Sequence, residues 1–151
     1  MPVATPSRAT AIQGLIRPRS VAIVGASADL TKINGRPLKH LLDKGYAGRI
    51  LPVNPKYPQI AGLPCVPTIA DLPEAVDLAI VAVPAAEVLA SIDALGRRGV
   101  RAAVVFSSGF GETGAQGLAL ERAVADCARS HGVVLCGPNC LGFVNAFDRV
   151  Y

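Results

Sequence analysis

With 151 residues, 51% of them hydrophobic and 17% charged, the chain holds enough apolar material for one well-buried domain, which excludes intrinsic disorder. Fifteen basic residues against eleven acidic ones leave a net charge of +4, which suits an anionic small molecule. The charge is too mild and scattered for nucleic acid, no apolar run approaches the ~20 residues that span a membrane, and Met1–Thr10 lacks the apolar core of a signal peptide.

Met1–Arg8 reads as a frayed start, and the arm to residue 18 carries one short helix. In that helix, Ala9–Ile16, Ile12, Leu15 and Ile16 fall at amphipathic spacing, and Pro18 ends it. Ser20–Val24 then begins the domain proper, residues 19–145. Its apolar residues run unbroken, the habit of a strand buried on both faces in a parallel sheet. Gly25-Ala26-Ser27 makes a small-residue turn where a ligand can approach closely. Ala28–Ile33 is a loop, and Asn34 caps a helix over Gly35–Lys44 with Leu38, Leu41 and Leu42 facing the core.

A second strand, Arg49–Val53, ends in Asn54-Pro55-Lys56. The Pro/Gly-rich stretch Tyr57–Ile69 holds at most a short extended piece at Cys65-Val66, and Asp71–Ala75 forms one helical turn. The third strand, Leu78–Val83, ends at Pro84-Ala85 and leads into a helix over Ala86–Arg98. The fourth, Ala103–Phe106, ends in Ser107-Ser108-Gly109-Phe110-Gly111. A long helix, Thr113–His131, is stopped by Gly132. The fifth strand, Val133–Cys136, ends in Gly137-Pro138-Asn139-Cys140-Leu141-Gly142.

Five strands alternating with helices imply an α/β Rossmann-like, doubly wound parallel sheet with right-handed crossovers. Parallel strands gather their C-terminal turns on one rim, and ligands bind outside those ends. A dinucleotide site expects G-x-G-x-x-G, and Ser27 stands where glycine is required. The acidic residue expected at the end of the second strand, to hold a ribose, is replaced by Asn54-Pro55-Lys56. Lysine there invites phosphate, so NADP and coenzyme A fit better than NAD, while a solvated surface lysine is the plain alternative.

Taken together, S-V-A-I-V-G-A-S at Ser20–Ser27, V-N-P-K at Val53–Lys56, V-P-A at Val83–Ala85, S-S-G-F at Ser107–Phe110 and G-P-N-C-L-G at Gly137–Gly142 resemble the N-terminal CoA-binding domain of NDP-forming acyl-CoA synthetases, relatives of the succinyl-CoA synthetase α subunit. The resemblance covers about Leu15–Asn145. It implies an enzyme that joins a carboxylic acid to CoA while splitting ATP to ADP and phosphate, through an acyl phosphate and a phosphohistidine. The histidine belongs to a second CoA-ligase domain, and an ATP-grasp domain takes ATP and Mg. Residues 146–151 would then begin the linker to that second domain.

The resemblance assigns CoA to Gly25, Ala26 and Ser27 at the phosphate-facing turn, with backbone N–H groups and a helix N-terminus supplying a positive field. Lys56 matches the family's phosphate-binding lysine, and Lys32 and Arg36 lie near enough in sequence to help. Pro84 and Ala85 wall the adenine or pantetheine, Ser107, Ser108 and Gly109 meet the pantetheine arm, and Asn139 and Cys140 border the thiol. Ser108 stands where the succinate enzyme has glutamate, so no acid function carries over. His40 and His131 read as surface or capping histidines, which leaves this chain without a catalytic residue. Cys65, Cys127, Cys136 and Cys140 form no CxxC pair and no zinc spacing, and point to a reduced, cytoplasmic protein. Two other readings stay open: a free-standing CoA-binding protein without catalysis, and an NADP-binding oxidoreductase domain.

Overall fold

The computed structural model describes residues 7–151, so residues 1–6 of the expected frayed start lie outside the described residues. Helix α1 (Arg8–Ile16) is capped by Ser7, whose Oγ accepts the Thr10 N–H at 3.3 Å. Its amphipathic reading holds only in part. Ala11 is buried and Leu15 packs inward, whereas Ile12 and Ile16 are more than 40% exposed.

Five parallel strands form the central sheet: β1 (Ser20–Val24), β2 (Arg49–Val53), β5 (Leu78–Val81), β6 (Ala102–Val105) and β7 (Val134–Cys136), in the order β2-β1-β5-β6-β7. The expected doubly wound α/β fold is therefore present. Every residue of β1, β5 and β6 is buried, which is what their unbroken apolar runs require. Alternate residues serve opposite faces. Ala22 and Val24 pack with Val88, Ile92 and Leu95 of α3 (Ala85–Arg97) and Val124 and Ala128 of α4 (Ala115–His131). Val21 and Ile23 pack with Leu38 and Leu41 of α2 (Arg36–Asp43). Each fully buried Leu or Ile contributes roughly 1.5–3 kcal/mol relative to exposure. Leu42, expected in the core, is 41% exposed because the narrow stripe of this eight-residue helix ends at Leu41.

Elsewhere the boundaries shift for local reasons. In the Pro/Gly-rich stretch, β3 (Gln59–Ile60) and β4 (Leu63–Pro64) make a small antiparallel hairpin across Ala61-Gly62, both at positive φ as in a type I′ turn. Val66 bridges Val53 in parallel, so the piece at Cys65-Val66 is extended as expected. The helical turn expected at Asp71–Ala75 sits instead at Ile69–Asp71. There Thr68 and Asp71 form a capping box, and Pro73 disfavours helical backbone at Leu72. The long helix starts two residues later than expected, after a 3-10 turn at Gly111–Thr113, because Gly114 breaks the backbone at φ 107°. Gly132 ends it in the left-handed conformation, as expected.

Two ties hold the end of the sheet opposite the rim. Arg19 donates from its backbone N–H (2.8 Å) and its Nε (3.1 Å) to Asp77 Oδ2, and the Asp77 N–H donates to Ser20 Oγ at 3.1 Å. The segment read as a linker is docked on the domain. Val150 is buried, Asn145 and Val150 exchange backbone hydrogen bonds, and Asn145 Nδ2 donates to the Ile16 carbonyl at 2.7 Å. Arg17 Nε reaches Asp148 Oδ2 at 2.8 Å beside them. Among the described residues no helix is long and apolar enough to cross a membrane.

Candidate functional site

The strand order reverses direction between β1 and β5, and at that switch point the rim opens into a cleft of about 520 Å³. Its lining includes Gly25 after β1, Asn54, Pro55 and Lys56 after β2, and Pro84 after β5. A second hollow of about 390 Å³ continues over the end of β6, where Pro84, Ala85, Ser107 and Ser108 line it. Asn34, Ala82, Val83 and Pro84 border both, so the two form one groove crossing the rim. Its size falls within the range of small-molecule sites.

The floor of the groove depends on Gly25. Its φ is +85°, and a Cβ there would stand 2.6 Å from the Ala82 carbonyl oxygen and 2.8 Å from a Val83 methyl. The turn thus lies directly against the end of β5, an approach open only to glycine. Its N–H is spent on the Val53 carbonyl at 2.9 Å, and the Ser27 N–H on the Asn34 carbonyl at 3.2 Å. Ala26 and Ser27 are themselves buried, and Ser27 Oγ accepts the Asp29 N–H at 3.1 Å. The backbone N–H groups of Gly25 and Ser27, expected to lend a positive field at this turn, are both satisfied within the protein, and the two residues act on the groove through the path of the turn.

Asn34 is the residue sequence reasoning placed wrongly. Gly35, not Asn34, is the N-cap of α2. Asn34 Nδ2 instead donates to the Gly25 carbonyl at 2.9 Å and its side chain borders both halves of the groove. The signal was the nine-residue gap to Gly25, which only the folded-back loop turns into contact. Glu87, Ser91 and Thr68 also line the cleft without having been anticipated. Glu87 occupies the first turn of α3, whose N-terminus is at Pro84 and carries the partial positive charge of a helix start.

Lys56 stands exposed at the mouth of the cleft, in an Asx-type turn in which its own N–H donates to Asn54 Oδ1 at 2.9 Å. Lys32 is exposed on the loop before α2 and Arg36 is exposed at the first position of that helix; neither lines a hollow, and Arg36 Nε donates to the Thr31 carbonyl at 3.3 Å.

At the other end of the groove the loops after β5, β6 and β7 are joined. Ser107 Oγ donates to the Val83 carbonyl, and the Asn139 N–H donates to the Ser107 carbonyl at 2.9 Å. The Cys140 N–H donates to Val105 at 3.2 Å, which sets Cys140 beside the end of β6. The Gly109 and Phe110 N–H groups go to the two oxygens of Glu112, at 2.6 and 3.1 Å. That bond to Gly109 is the main cause holding the Glu112 carboxyl below its ordinary range. Gly109, Asn139 and Cys140 thus stand at the β6–β7 end without lining the two hollows.

Neither histidine reaches the rim. His40 is exposed on α2, and His131 Nε2 contacts Asp93 Oδ1 at 2.8 Å across the α3–α4 seam. Gly96 admits that ring, since a Cβ there would stand 2.3 Å from His131 Cγ.

The sheet is doubly wound and its switch-point rim opens into a groove with Lys56 at the mouth, and comparison with known proteins gives the class. Residues 19–146 match the family described as CoA binding domain, and the chain belongs to it. It is 43% identical over 134 residues to acetate–CoA ligase [ADP-forming] I of Archaeoglobus fulgidus, covering 89% of this chain and 19% of that protein. It is 36% identical to the α subunit of acetate–CoA ligase [ADP-forming] I of Pyrococcus furiosus, covering 88% of this chain and 30% of that subunit. Among solved structures, dinucleotide-forming acetyl-coenzyme A synthetase 1 of Ca. Korarchaeum cryptofilum superposes with a TM-score of 0.87 at 40% identity, over 92% of this chain and 30% of that one. The chain thus corresponds to the CoA-binding region of these ligases and spans less than a third of each of the three.

Proposed function

We propose that this chain is the CoA-binding domain of an ADP-forming acid–CoA ligase, the part that holds CoA and presents its thiol. The observation that carries the reading is the groove itself. Lys56 and Gly25 line its β1–β2 end, and the neutral Ser107 and Ser108 line the other. Lys56 suits the phosphates of CoA, and the α3 N-terminus at Pro84 adds positive field beside them. Ser107, Ser108 and Gly109 suit the uncharged pantetheine arm, with Asn139 and Cys140 near the sulfur. CoA then runs from the ends of β1 and β2 toward those of β6 and β7.

Acid activation belongs to other domains or a partner subunit. These carry the phosphohistidine of the second CoA-ligase domain and the ATP-grasp domain that takes ATP and Mg. The small fraction of each relative that this chain covers supports that division. The identity of the acid follows from those parts.

Calorimetric titration with CoA, acyl-CoA, NAD and NADP tests the reading. CoA and acyl-CoA should bind more tightly than either dinucleotide, and tighter NADP binding would sink it.

A further inference from the structure

Two thiols meet at the β7 end of the groove. Cys136 Sγ lies 3.6 Å from Cys140 Sγ, and both cysteines are free and half-buried. The chain between them doubles back, with Gly137 at φ 104° and Asn139 at φ 53°. A Cβ on Gly137 would stand 3.0 Å from that of Cys140. Sulfurs already in contact need only move to the ~2.05 Å of a covalent bond. The other two cysteines are placed differently: Cys65 Sγ faces the Asn54 and Val66 carbonyls, and Cys127 lies beside Asp93 and His131.

The pair is asymmetric. The Gly142 N–H donates to Cys140 Sγ at 3.3 Å, and that sulfur stands on the loop beyond the strand, whereas Cys136 is the last residue of β7. Burial, with Cys140 as neighbour, pushes the Cys136 thiol up. The loop position makes Cys140 the attacking sulfur and Cys136 the resolving one.

We propose that Cys136 and Cys140 form a working dithiol that small-molecule disulfides, CoA disulfide among them, oxidise to an intramolecular disulfide. Cys140 loses its proton to solvent and its thiolate attacks one sulfur of RS–SR. The S–S bond breaks, Cys140–S–SR forms, and RS⁻ leaves to take up a proton. Cys136 then gives its proton to solvent, and its thiolate attacks Cys140 Sγ and expels the second RS⁻, which is protonated in turn. Two electrons pass from the dithiol to the disulfide, giving one protein disulfide and two molecules of RSH. The choice of CoA disulfide rests on the functional reading above; the dithiol chemistry does not.

The test uses the full chain, incubated without oxygen with CoA disulfide or with bis(2-hydroxyethyl) disulfide and quenched in acid. With either reagent, titratable thiols in the denatured protein should fall from four to two, and peptide mapping should find Cys136 joined to Cys140. C136S should stop at a mixed disulfide on Cys140, and C140S should yield no intramolecular bridge. Persistent mixed disulfides in the unsubstituted chain, or a bridge to Cys65 or Cys127, would overturn the proposal. CoA disulfide should react faster than the hydroxyethyl reagent and be slowed by desulfo-CoA. Equal rates without that protection would remove CoA from this end of the groove while leaving the dithiol in place.

Discussion

Asn54 Nδ2 donates to the Ala26 carbonyl at 2.9 Å and ties the loop that carries Lys56 to the turn after β1, beside the Gly25 N–H bond to Val53. The other end of the same amide, Oδ1, accepts the Lys56 N–H at 2.9 Å. One side chain therefore bonds both the lysine's backbone and the turn after β1. Asn54→Asp keeps the acceptor and removes the donor. It should lower stability by about 1 kcal/mol in urea denaturation and weaken CoA in calorimetry. Unchanged CoA affinity in a folded N54D protein would separate Asn54 from the site.

Lys56→Ala should weaken CoA by about 1–2 kcal/mol, the value of one charge-assisted bond to phosphate, with the melting temperature unchanged because the side chain is exposed. Equal CoA affinity in the two proteins would return Lys56 to ordinary surface.

Gly25→Ala places a methyl 2.6 Å from the Ala82 carbonyl at a φ of +85°. The strained backbone costs roughly 1–3 kcal/mol, and the clash pries the β1 turn from β5. Denaturation and titration should report lower stability and loss of CoA binding together; a G25A protein that binds CoA normally would show that the groove does not depend on this contact.

Much of this was legible because the chemistry was local. Buried strands announce themselves by runs such as Ser20–Val24, and parallel strands must bring their C-terminal turns to one rim, so the sequence alone puts Gly25, Lys56, Pro84 and Ser107 there. What escaped depended on backbone partners distant in sequence. Nothing in Gly25-Ala26-Ser27 tells that its N–H groups are spent on Val53 and Asn34. Asn34 has the composition of a helix cap, and only the fold of its loop turns it toward Gly25. The hairpin at Gln59–Pro64 was hidden by Ala61, a residue seldom found at positive φ.

Acid and alkali should destabilise the same corner of the molecule. Burial pushes the Asp77 carboxyl up, but hydrogen bonds from the Arg19 side chain and backbone together with the Arg19 charge outweigh it and hold it below 3.8. The stabilisation this supplies is complete above that ordinary value and is lost as pH falls through the lower folded one. Tyr46 donates to the Pro18 carbonyl at 2.7 Å, and burial, with Asp77 nearby, pushes its phenol up to about 12. That contribution is complete below pH 10 and fades as pH rises toward 12. Thermal melts across pH should fall off at both ends; D77N should flatten the acid limb and Y46F the alkaline one, and limbs unchanged in those variants would place the sensitivity elsewhere.

The isolated chain should take no label from radioactive ATP, because His40 is on an outer helix face and His131 is engaged with Asp93. Phosphate found on either histidine would show that phosphoryl transfer reaches this domain directly.

Asn145 and Ile16, 129 residues apart, share a hydrogen bond, and Arg17 and Asp148 an ion pair beside it. The segments that lead into β1 and follow the β7 loop thus meet at a single doorway. A fold with one doorway can be excised from one larger protein and spliced into another by cuts at adjoining points, its internal path unaltered. Exchange of residues 17–145 between this chain and its relatives should therefore carry the groove across intact, like a cartridge moved between instruments.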